Sequence, residues 1–117
     1  MDAFESLAAR ACGPVGKGTP PLQGDALDSL AAALGRGWKV AEGKRLEKRF
    51  AFKDFKQALA FTNLVGAEAE RQDHHPDIAL SWGKVGIVLW THTVGGLSEN
   101  DFILAAKVEN LPRPAAA

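Results

Sequence analysis

The chain has 117 residues, 46% of them hydrophobic and 24% charged, the composition of one ordinary globular domain rather than of a disordered or fibrous chain. Lys+Arg and Asp+Glu balance at 14 each, which removes the broad basic footprint of a protein that binds nucleic acid through phosphates. Cys12 is the single cysteine, so neither an intramolecular disulfide nor a thiolate zinc site can be assembled, and a reducing compartment is implied.

The amino end, "MDAFESLAARACG", has an acid at position 2 and an apolar stretch broken by Arg10, unlike a secretory signal. No run approaches the roughly 18 apolar residues of a membrane span, so the expected location is cytoplasmic, with no membrane partner. Residues 1–21 read as an N-terminal extension, a short frayed helix followed by a linker in which "GPVGKGTPP" concentrates glycine and proline. This linker is not a phosphate-binding loop, because two residues rather than four separate Gly13 from Gly16, and Gly18 follows Lys17 where Ser or Thr is needed.

From Asp25, Leu27, Leu30, Ala31 and Leu34 recur at helical spacing before Gly35 and Gly37 supply stop signals. A hairpin follows over "GWKVAEGKRLEKRFAF", turning at Glu42-Gly43, with Leu46, Lys48, Phe50 and Phe52 alternating against Arg45, Glu47, Arg49 and Ala51. The charges of "GKRLEKR" suit a solvated strand edge that resists aggregation. Asp54 caps the longest helix, whose stripe of Phe55, Leu59, Thr62, Val65 and Ala69 runs to about Arg71. "DHHPD" (73–77) is then a helix-to-strand junction, since Pro76 disfavours helical geometry at His75.

A second hairpin joins "IALSW" (78–82) to "VGIVLWTH" (85–92) through a turn at Gly83-Lys84, which makes Trp82 and Trp90 strand residues. Gly95-Gly96 break the strand, and Ser98-x-x-Asp101 is a capping-box variant ahead of a last helix over "FILAAKVENL". Residues 112–117 read as a disordered tail. The expected fold class is α+β, a four-stranded antiparallel sheet with three helices packed on one face in α-β-β-α-β-β-α order, forming a domain over 22–111.

All three histidines, His74, His75 and His92, lie at the ends of the second-hairpin segment, and antiparallel pairing returns residue 92 towards residue 75. Imidazoles titrate near neutral pH, and the neighbouring Glu70, Asp73 and Asp77 supply carboxylates that fix a tautomer, so the cluster suits proton transfer. A three-histidine zinc site and a plain polar turn are the alternatives; adjacent histidines and the absence of a helical His-x-x-x-His pair weigh against metal. No Gly-x-Ser-x-Gly elbow is present. Trp38 either closes the core or walls a pocket, and Asp101 reads as a helix-terminus carboxylate.

The spacing Glu70-x3-His74-His75-Pro76-x5-Trp82-x9-His92-x8-Asp101, with "GWKV", "FAFKDFKQALAFTNLVGAEAE" and "GLSENDFILAAKVE", resembles the signature of the pterin-4a-carbinolamine dehydratases, also known as dimerization cofactors of a homeodomain transcription factor. The resemblance covers roughly residues 22 to 110 and implies the same α+β fold. It implies dehydration of 4a-hydroxytetrahydropterin to quinonoid dihydropterin, recycling the cofactor of aromatic amino acid hydroxylases, with no metal and no cofactor of the enzyme's own. His74, His75 and His92 would be catalytic, Glu70, Asp73, Trp38 and Thr91 would bind substrate, and Asp101 would support them. The implied partners are the pterin, further copies of the chain in a homodimer or homotetramer, and an aromatic amino acid hydroxylase. The same fold also implies an alternative, a non-catalytic dimerisation module or transcriptional coactivator. The chain departs from the family pattern at Asn100, where arginine is common, at Trp90, where a small residue is common, and at the amino end, where Cys12 lacks the second cysteine that bacterial relatives carry.

Overall fold

A computed structural model of the chain describes residues 1–114. Among the described residues are four α-helices, α1 (Ala3–Ala9), α2 (Gly24–Leu34), α3 (Phe55–Gln72) and α4 (Glu99–Glu109), with strands β1 (Lys39–Ala41), β2 (Arg45–Ala51), β3 (Asp77–Ser81) and β4 (Lys84–Leu89). The strands form one antiparallel sheet in the order β1-β2-β4-β3. The fold is α+β as expected, with the three anticipated helices and, in the amino-terminal extension, the short helix read there as frayed. That helix, α1, is ordered instead: Asp2 Oδ1 accepts from the Glu5 N–H at 2.8 Å, and Phe4 and Leu7 are buried in the common core. Capping and two buried side chains order a segment too short to stand alone. The carboxyl-terminal tail anticipated for 112–117 falls partly outside the described residues.

Period-two alternation places Val85, Ile87 and Leu89 of β4 inward beside Leu46 and Phe50 of β2. Across them lie Ala58, Phe61, Val65 and Ala69 of α3 and, from α4, every residue from Asn100 to Ala106 plus Val108. A helix buried nearly all round has to be apolar nearly all round, and the two charged groups α4 does bury inside it or at its end, Asp101 and Glu109, both have partners.

The first hairpin turns where expected, with Glu42 and Gly43 both at positive φ and the Lys44 N–H closing on Ala41 O at 3.0 Å. The second differs. Ser81 pairs with Lys84, so Trp82-Gly83 form the loop and Trp82 is exposed rather than a strand residue. The last strand ends at Leu89 instead of reaching residue 92: Thr91 pairs with Gly96 across a short 3-10 turn, His92–Val94, which leaves Trp90 outside the sheet.

Candidate active site

Helix α3 stops before its proline takes effect. Asp73 adopts the left-handed conformation (φ 50°, ψ 43°), and the His74 N–H donates back to Ala69 O at 3.2 Å, a six-to-one closure typical of helix ends. That turn aims His74 inward. Its Nε2 lies 2.6 Å from Oδ1 of Asp101, whose side chain has no exposed surface, while His74 keeps 11%.

Asp101 stands in the first turn of α4 and is held on its other oxygen. Oδ2 accepts from the Ser98 N–H at 2.9 Å and from the Thr91 hydroxyl at 2.8 Å, and Thr91 Oγ1 and Ser98 Oγ are 2.6 Å apart. With Thr91 donating to the carboxylate, Ser98 donates to Thr91. The carboxylate therefore caps the helix, ties it to the exit of β4, and orients an imidazole. Because a carboxylate only accepts, Nε2 of His74 carries the hydrogen and Nδ1 is left as the basic nitrogen.

His75, one residue on, points the other way. Its Nε2 meets Oε2 of Glu70 at 2.5 Å in solvent, with 56% and 77% of the two side chains exposed. His92 opens the 3-10 turn, is exposed, and stacks on Trp90 with ring centroids 3.7 Å apart and planes 22° apart. Pairing of Asp77 with Val88 sets the exits of α3 and β4 at the same end of the sheet, so 74–75 and 91–93 meet on one rim.

Between them opens a cleft of about 350 Å³. Asp73 and His74 line it from one exit, Thr91 and Thr93 from the other, and Gly13, Pro14 and Val15 close it from the amino-terminal segment. Trp38 is not among its lining residues; the indole N–H donates to Oε1 of Glu109 at 2.9 Å and the ring packs edge-on against Phe50. Glu70, His75 and His92 stand outside the cleft wall, on the rim.

Sequence reasoning missed the amino-terminal wall and its fastenings, Gln72 and Asn100. The Cys12 N–H donates to Gln72 Oε1 at 2.9 Å, and Asn100 accepts from the Gly13 N–H and donates to Gly13 O. The one signal at hand was Asn100 itself, the position where an arginine is common. Burial pushes the Cys12 thiol up to about 11, so it stays protonated at neutral pH and is no nucleophile there. Among the described residues no three His, Cys, Asp or Glu side chains converge as a metal-ligand set, and no helix is long and apolar enough to cross a membrane.

Known proteins share this fold. The family model for pterin 4 alpha carbinolamine dehydratase matches residues 20–111. A protein from Alkaliphilus metalliredigens, named provisionally as a pterin-4-alpha-carbinolamine dehydratase, is 50% identical over 91% of this chain and 96% of its own. Among solved structures, a transcriptional coactivator/pterin dehydratase from Brucella melitensis is 31% identical with a TM-score of 0.70, covering 76% of this chain and 95% of that one. A pterin dehydratase-like protein identified as a RuBisCO assembly factor of the alpha-carboxysome is 29% identical with a TM-score of 0.54, covering 65% and 89%. The chain belongs to the pterin 4 alpha carbinolamine dehydratase family.

Proposed function

We propose that the protein removes water from a 4a-hydroxytetrahydropterin by histidine general acid/base catalysis, giving quinonoid dihydropterin. The observation that carries this reading is His74, which lines the cleft and is held by the buried Asp101, with two further histidines at the same end of the sheet. The elimination requires a proton delivered to the C4a hydroxyl, which leaves as water, and a proton taken from a ring nitrogen as the C=N bond forms. Electrons and charge balance with no redox step, which suits groups that titrate near neutral pH. His74, locked by Asp101, is the fixed member; His75, bonded to Glu70, and His92, stacked on Trp90, stand in solvent and reach the bound ring by side-chain rotation. Asp73 and Thr91 hold the polar amino-pyrimidine edge, and Glu70 orients His75. Trp38 takes part only indirectly, through its packing on Phe50 and its hydrogen bond to Glu109.

The product, once reduced by a separate hydride-donating reductase, would serve an aromatic amino acid hydroxylase again, in a cytoplasmic setting that suits a single unpaired cysteine. Self-association is part of the same proposal, with Phe55 and Leu59 exposed one turn apart on α3; light scattering would read a dimer or tetramer. The test of the activity is the decay of chemically generated 4a-hydroxytetrahydropterin followed by absorbance. Added protein should accelerate it, and His75→Ala and His92→Ala should each lose most of the acceleration. Undiminished rates in both variants would sink the assignment.

The likeness to the RuBisCO assembly factor supports a second reading, a non-catalytic assembly or coactivator module on the same fold. It predicts no acceleration by the wild-type chain and a protein partner whose capture survives loss of all three histidines.

A further inference from the structure

We infer that residues 12–15 form a pinned wall that sets which pterins the cleft accepts, with Asn100 as the positioning residue that holds it; this rests on the dehydratase reading above.

The wall is built rather than draped. Helix α1 is anchored by its buried Phe4 and Leu7, by Lys107 Nζ donating to Ala8 O at 2.8 Å, and by an exposed Arg10–Glu99 pair at 2.5 Å. The chain then crosses the rim. Gln72, itself donating to Glu68 at 3.1 Å, accepts the Cys12 N–H. Asn100 engages Gly13 from both sides, accepting its N–H at 3.1 Å and donating to its carbonyl at 2.7 Å, in the manner of an added strand residue. Further on, the Leu22 N–H donates to Leu97 O at 2.8 Å. Both ends of the 13–22 loop are therefore fastened at the start of α4, within three residues of each other, as in a compact Ω-type loop. Such a loop keeps its shape without a strand or helix of its own.

Its position decides what it can do. Pro14 and Val15 line the same cleft as His74 and Thr91, yet their side chains offer no hydrogen-bond partner. A pterin's amino-pyrimidine edge loses free energy if buried without partners, so it turns to Asp73 and the threonines. The apolar wall is then left to face the rest of the bicycle, which includes the position where pterins differ, the group carried at C6. At about 350 Å³ the cleft is near the lower bound of small-molecule sites, so a wall there discriminates by size.

The experiment compares kcat and KM for two 4a-hydroxytetrahydropterins, one with a methyl and one with a bulky C6 group. Asn100→Ala should raise KM for the small substrate by roughly tenfold, the effect of two lost hydrogen bonds, with kcat within about twofold, and should erase the preference between the two substrates. Asn100→Asp, which keeps only the bond from the Gly13 N–H, should fall between. Val15→Ala, which leaves the fastenings intact, should shift the preference towards the bulky pterin. Wild-type and variant thermal unfolding curves separate a loosened wall from a lost fold. If the wild type turns over both pterins and neither Asn100→Ala nor Val15→Ala moves KM or preference, the wall inference is overturned and the dehydratase reading stands. If the wild type turns over neither, both fall.

Discussion

Two histidine–carboxylate pairs a single residue apart sit in opposite environments. His74–Asp101 is buried, and its carboxylate takes three donors from three different segments. His75–Glu70 has similar geometry, 2.5 Å against 2.6 Å, but both side chains stand largely in water. A buried charge-assisted hydrogen bond is strong partly because its alternative, a desolvated group without a partner, is so unfavourable. An exposed pair has water as its alternative and contributes little. Proximity in sequence therefore says nothing about shared role: one pair builds the site, the other is available to work at it.

The largest expected effect breaks the buried pair. Asp101→Ala removes the cap of α4, the tie to Thr91 and the partner of His74 together, and should lower stability by about 2 to 4 kcal/mol, read by urea unfolding. Turnover should fall with it, because His74 loses its fixed tautomer. Asp101→Asn, which keeps the shape, should recover part of the stability and less of the rate. Equal stability for Asp101→Ala and wild type would mean that the network is ornamental.

The exposed side should behave in the reverse way. His75→Ala and His92→Ala are expected to lose roughly a hundredfold or more in kcat/KM while stability stays within about 0.5 kcal/mol. A stability loss comparable to that of Asp101→Ala would erase the distinction between the two pairs.

The contrast was only half legible in the sequence. Period-two and helical patterns placed the sheet and three of the helices, because burial of one face dictates them locally. The helix exit at "DHHPD" was also legible, though its agent was misassigned: Asp73 in the left-handed conformation ends α3 before Pro76 can. What could not be read is which way each histidine faces. Residues 74 and 75 alternate about an extended backbone, and only the arrival of Asp101, 27 residues on, decides which of them is drawn inward. The truncation of β4 at Leu89 has the same origin, since Thr91 leaves the sheet to reach Asp101. The amino-terminal wall was hidden for another reason. Its glycines and prolines forecast an irregular backbone correctly, but hydrogen bonds to Gln72 and Asn100 make that irregular backbone part of the site.

A smaller effect sharpens the exposed side. Trp90 stacks on His92, and a stacked aromatic pair is worth about 0.5 to 1.5 kcal/mol. Trp90→Ala should therefore reduce turnover by no more than about tenfold, well short of the loss in His92→Ala. Its clear signature is spectroscopic: the His92 ring-proton resonances, shielded by the indole, should move downfield. Trp90→Phe should keep most of the shielding and the rate, whereas unmoved resonances in Trp90→Ala would dissolve the stack as a solution feature.

The smallest effect concerns the carboxylate behind the wall. Hydrogen bonding from Arg71, aided by Gln72, holds Glu68 below the usual carboxylate range. A carboxyl group lowered on folding stabilises the native state above its unfolded value, about 4.3, and that contribution disappears as pH falls through the lower folded value. Arg71 is 61% exposed, so the contribution should be no more than about 0.5 kcal/mol. Glu68→Gln should accordingly lower the melting temperature slightly at neutral pH and match the wild type in acid, so that the drop below pH 4.5 is smaller by that margin. Since Glu68 also steadies Gln72, the same variant should raise KM slightly at neutral pH. A flat KM together with a flattened acid limb would confine Glu68 to stability and leave Asn100 as the fastening that matters for the wall.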